Sequence, residues 1–115
     1  DEARAAYDED EPLRFAASFA AKILSGTATC AVTTVTATSS VAFTGKVAGA
    51  AVGDRVIATP PADLGATNAD TARLSYHAWV SAANTVTVML TNGSAAAATT
   101  NAAVQTAWPI TVIKS

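Results

Sequence analysis

The chain has 115 residues, half of them apolar, a net charge of −2 and only 14% charged side chains, where an ordinary soluble domain carries about 25%. That length holds one modest core, the single cysteine, Cys30, excludes an intramolecular disulfide and a cysteine-based zinc site, and no apolar run approaches the ~20 residues of a membrane-spanning helix. With 29 Ala and 17 Thr the surface is small-sided and neutral, which suits a subunit of a homo-oligomer better than a free monomer that depends on charge for solubility.

The first eleven residues hold six of the nine acids, Asp1, Glu2, Asp8, Glu9, Asp10 and Glu11. Residues 1–11 therefore read as a solvated acidic arm. From Thr27 onward the chain has three acids and four bases. Such a body offers no basic stripe for phosphates, and nucleic acid is not an expected partner.

Pro12 stands where a helix can begin without its N–H, and the acids before it complement the positive helix end. A helix is expected over Leu13 to Leu24, closing at Ser25-Gly26, so that residues 12–26 form one N-terminal unit. At 100° per residue, Phe15, Phe19 and Ile23 share one side, and Leu13 and Leu24 lie on an adjoining one. The apolar arc spans roughly 200°, wider than the stripe of about 100° on a helix docked against one core. Leu13, Phe15, Phe19 and Ile23 are accordingly candidate interface residues.

After Gly26 the period changes to two. Thr27 to Thr38 reads as a strand with Cys30, Val32 and Thr34 facing one way and Ala31, Thr33 and Val35 the other. Val41 to Gly45 follows as a strand, then a Gly49 to Gly53 turn, then a strand from Arg55 to Thr59 that Pro60-Pro61 ends. Residues 62–72 form the longest irregular stretch and carry Asp63 and Asp70, candidate contact residues in a loop of the kind that meets partners.

Leu74 to Val80 reads as a strand with Leu74, Tyr76, Ala78 and Val80 on one face and Ser75, His77 and Trp79 on the other. Ser81 to Asn84 turns into Thr85 to Thr91, where Val86, Val88 and Leu90 face inward and Thr87 and Met89 outward. Asn92-Gly93 marks a turn, and Ser94 to Ala103 is an Ala/Thr/Asn tract. A final strand, Gln105 to Ile113, aligns Trp108, Ile110 and Val112, with Pro109 expected to confine it to an edge or a bulge.

Catalytic chemistry is hard to find in this pattern. His77 is the sole histidine and has no acid or cysteine beside it to build a metal or nucleophile–base site. His77 and Trp79 instead suggest a small binding surface. Asp54 follows a glycine turn and is expected to hydrogen-bond its backbone. Asp63 and Asp70 lack the dense acidic spacing of a calcium loop, and there is no phosphate loop and no G-x-S-x-G. No enzyme activity and no cofactor are expected.

The residues Gly53-Asp54-Arg55-Val56, Pro60-Pro61, Val80 to Val88, Thr91-Asn92 with its Ala/Thr tract, and Thr106-Ala107-Trp108 together resemble a module common in tailed-bacteriophage structural proteins. The likeness runs from about Thr27 to Lys114 and rests on turns and alternating strands. It implies a mainly β, antiparallel, jelly-roll-like β-sandwich over residues 27–115, used on virions as a capsid decoration or cement protein, or as part of a fibre or spike. Such proteins are often trimers that sit on the capsid surface against the major capsid protein, and the family offers no catalytic residues to carry over. Thr67 to Arg73 is longer than the usual glycine-rich link, and the acidic, helical N-terminus lies outside the module.

Overall fold

A computed structural model describes residues 22–115 of the chain. The acidic arm at residues 1–11 and the candidate residues Leu13, Phe15 and Phe19 lie outside the described residues. Eight strands follow in order: β1 (Ile23–Thr29), β2 (Thr34–Val35), β3 (Ser39–Lys46), β4 (Arg55–Ala58), β5 (Leu74–Ala82), β6 (Thr85–Asn92), β7 (Ala98–Thr99) and β8 (Ala107–Ile113). A short helix, α1 (Asn68–Arg73), precedes β5, and a 3-10 turn at Ala102–Val104 precedes β8.

The fold is mainly β and antiparallel, as expected. Six strands form one sheet in the order β4-β8-β1-β3-β6-β5, and β2 and β7 pair separately. In place of two sheets packed face to face, the large sheet curls until β4 and β5 come side by side, making a nearly closed barrel. Twist and coiling bring a sheet's edges round in this way when its inner face is filled by side chains.

Alternation explains which side chains fill it. Val86, Val88 and Leu90 of β6 and Val112 of β8 are fully buried, with Ile110 and Val80 almost so. Trp108 lies at the centre, its ring edge-on to Phe43 at 5.0 Å and to Tyr76 at 5.4 Å. One aromatic side chain from β8 thereby ties β3 and β5 across the interior.

The expected helix over Leu13 to Leu24 is corrected at its end, because Ile23, Leu24, Ser25 and Gly26 belong to β1. Leu24 pairs with Val112 and Gly26 with Ile110. Leu24 and Gly26 are half-buried and Ala28 is buried, so the two-residue period starts at Leu24. Gly26 is needed for close approach, not as a helix stop: a Cβ there would sit 2.5 Å from the Lys46 carbonyl oxygen and 2.9 Å from Val47 Cγ2. Tertiary pairing overrides the local helical preference of this segment.

Three further expectations change. The long strand from Thr27 to Thr38 breaks after Thr29, and Thr34–Val35 leaves the main sheet to pair with Ala98–Thr99. The stretch 62–72 is not wholly irregular, since Thr67 caps α1 by accepting from the Asp70 N–H at 3.2 Å. Pro109 does not put β8 at an edge, for β8 runs between β4 and β1. In a strand the N–H and C=O of one residue point to the same neighbour. Pro109 accepts from Thr59 N–H at 3.2 Å, so its missing donor faces β4 just past the end of that strand.

The barrel has two distinct ends. At one, where β1 and β6 finish and β3, β5 and β8 start, the β2–β7 pair, α1 and the 3-10 turn form a cap. Asn92, fully buried, braces it: its Nδ2 donates to Val35 O at 3.0 Å and Ala96 O at 2.8 Å, and its Oδ1 accepts from Ser94 N–H and Oγ–H. At the other end the turn from Val47 to Asp54 meets the residues after β8.

Candidate functional site

The outer face of β3, β6 and β5 is the most distinctive surface. Strand register sets three rows across it: Ser40, Thr91 and Ser75; Ala42, Met89 and His77; Thr44, Thr87 and Trp79. None of these side chains is acidic or a Lys or Arg. Lys46 at the margin is the face's cation, donating to Thr85 Oγ1 at 3.3 Å.

His77 and Trp79 stand on this face because residues two apart on a strand project to the same side. Their rings stack at 5.0 Å with an interplanar angle of 18°. Trp79 remains 37% exposed, while Thr87 opposite it is buried and donates to Ser81 Oγ at 2.7 Å. The aromatic pair is thus held on a polar, hydrogen-bonded bed with an exposed upper edge.

The other candidate residues are not brought to this face. Ile23 opens β1, outward and exposed, opposite Ile113. Asp63 is exposed in the loop after Pro60-Pro61. Asp70 in α1 pairs with Arg73 at 3.3 Å. Beside that pair lies an open groove of about 590 Å³, walled by Ala69, Ala72, Leu74 and Ser75 and by the Gly93-Ser94 turn. Among the described residues, no group of three or more His, Cys, Asp or Glu is placed to hold a metal ion.

Asp54 does more than hold its turn. Its Oδ2 accepts from Ala51 N–H at 2.9 Å, as expected for a turn aspartate, and also from Lys114 Nζ at 2.8 Å. Its Oδ1 accepts from Ser115 N–H at 3.0 Å. With its side chain only 2% exposed, the carboxyl is held well below the usual carboxylate range, first by the Lys114 hydrogen bond and then by the Ser115 and Ala51 N–H groups. Lys114 lies 60 residues away in the chain, which is why no local pattern signals the pair. Cys30 is buried, and desolvation pushes its thiol up, so it is poor in the reactive thiolate.

Comparison with protein-family models, with curated proteins and with solved structures finds no match to this chain.

Proposed function

We propose that the chain is a non-enzymatic structural protein of a phage virion, a capsid decoration or cement protein that binds the major capsid protein on the outside of the head. What carries this reading is the outer face of β3, β6 and β5, with Trp79, His77 and Met89 among Ser, Thr and Ala and no Asp, Glu, Lys or Arg in its three rows. Protein interfaces are depleted in Lys, Glu and Asp at their centres and enriched in aromatic residues and Met. The curled sheet with its two-stranded cap is, in this reading, a compact relative of the jelly-roll-like sandwich in the virion modules the sequence resembles. Burial of neutral surface between neighbouring subunits gives the head its resistance to internal pressure, and a trimer matches the symmetry such lattices offer.

The test is sedimentation. A stable trimer by analytical ultracentrifugation that pellets with empty capsids supports the proposal, and a monomer that stays in the supernatant overturns it.

A second reading, a fibre or spike module binding a host receptor or glycan, is favoured by the exposed His77–Trp79 stack itself, because sugars and aromatic side chains pack against such rings. Binding to host cells in the absence of capsid binding selects it.

A further inference from the structure

One seam of the barrel has no ladder. β4 and β5 lie alongside each other, but β4 pairs only with β8 and β5 only with β6. β4 is also the shortest strand of the large sheet, four residues against seven or more in the rest. Its inward side chains are the half-buried Val56 and the small Ala58, and Ile57 on its outer side is 53% exposed. Just past its end, Pro109 of β8 accepts from Thr59 N–H but has no donor to return. It is short, has no ladder on its β5 side and turns an exposed side chain outward, the profile of a segment that opens locally.

What fastens β4 sits immediately before it. Asp54 takes Lys114 Nζ at 2.8 Å, Ser115 N–H at 3.0 Å and Ser115 Oγ at 3.2 Å, joining the start of β4 to the residues that follow β8. Lys114 Nζ also donates to Gly49 O at 3.0 Å. The preceding turn has Gly53 at φ 101°, a conformation that glycine adopts without strain, and Pro60-Pro61 breaks the chain on the far side.

We propose that β4 is a strap that opens and closes on an otherwise intact barrel, hinged at the Gly49–Gly53 turn and at Pro60-Pro61, with Asp54–Lys114 as its catch. When the strap lifts, the β4-facing edge of β8 and the inner side chains Ile110 and Val112 are uncovered. The rest of the sheet keeps all its ladders.

Amide exchange of the full chain by NMR tests this. Thr59 donates to Pro109 O, and by antiparallel alternation Ile57 donates to its register partner Thr111. These two amides report on β4, and Val86, Val88 and Leu90 report on global unfolding. The strap predicts that Ile57 and Thr59 exchange much faster than the β6 amides and with little dependence on denaturant. Asp54→Asn speeds Ile57 and Thr59 by roughly ten- to a hundredfold, as loss of a charge-assisted hydrogen bond implies. An oxidised disulfide between Ile57→Cys and Thr111→Cys, paired positions on the outer face, slows them to the β6 rate. The proposal is overturned if Ile57 and Thr59 exchange at the β6 rate with the β6 denaturant dependence, or if Asp54→Asn leaves them unchanged.

Discussion

Trp108 donates its indole N–H to the Val104 carbonyl at 2.7 Å, so the largest side chain of the core is also hydrogen-bonded to the cap. The bond gives the ring one orientation, and Phe43 and Tyr76 meet it edge to face in that orientation. Trp108→Ala removes the ring and leaves a cavity between β3, β5 and β8, costing about 3–5 kcal/mol. Trp108→Phe keeps most of the apolar volume but strands the Val104 oxygen, a loss of about 1–3 kcal/mol. Urea unfolding followed by circular dichroism measures both, and an equal loss for the two variants means the hydrogen bond, not the ring, dominates.

Asn92 serves the cap as Trp108 serves the core. Asn92→Ala takes the side-chain donor from the buried Val35 carbonyl, at about 1–3 kcal/mol, while the exposed Ala96 carbonyl keeps the Ser94 hydroxyl as its donor. The expected outcome is a lower urea midpoint together with loss of exchange protection at Val35 and at Thr100, whose N–H donates to Thr33 O at 3.0 Å, while Val88 keeps its protection relative to overall stability. Uniform loss at all amides means that the cap and barrel unfold as one unit.

Asp54 links stability to acid. Its folded carboxyl titrates below the ordinary value of about 3.9, so the stability it supplies is present in full above that value and is lost as pH falls through the folded one. Asp54→Asn therefore lowers the melting temperature at pH 7 by a few degrees or more. The gap between wild type and variant closes as pH drops below about 4. Scanning calorimetry at pH 7, 5, 4, 3 and 2 reads it, and a gap that is constant across these points removes Asp54 as the linked group.

Trp79→Ser separates binding from folding. Trp79 is more than a third exposed and stacks only on His77 at the surface, so the melting curve shifts by less than about 1 kcal/mol in stability. Under the proposed capsid-binding role, co-sedimentation with capsids falls sharply by contrast. Unchanged pelleting moves the contact surface elsewhere on the barrel.

Local regularity was legible in the residues, and distant pairing was not. Thr85 to Thr91 alternates so cleanly that Val86, Val88 and Leu90 fall inward as expected, and His77 and Trp79 share a face because a strand's period is two. Ile23 to Gly26 reads as the end of a helix because its partners, Ile110 to Ile113, arrive from the far end of the chain. Pro109 reads as an edge marker because the end of β4 beside it cannot be seen locally. Asp54 reveals its turn through Gly53 but not its catch, since Lys114 is brought to it only by the return of β8. The curl of the sheet depends on side chains meeting across an interior, as Trp108 and Tyr76 do, and no stretch of sequence contains that meeting.

Pro109 also bears on how these molecules behave when crowded. A β-sheet edge with a continuous run of free donors and acceptors recruits further strands, and native proteins interrupt such runs with proline. Past the end of β4 the chain's own Thr59 takes the Pro109 carbonyl, and neither Pro109 nor the adjacent Pro60-Pro61 has an N–H left for another strand. The corner of the sheet where β4 ends is in this way closed to further strand pairing.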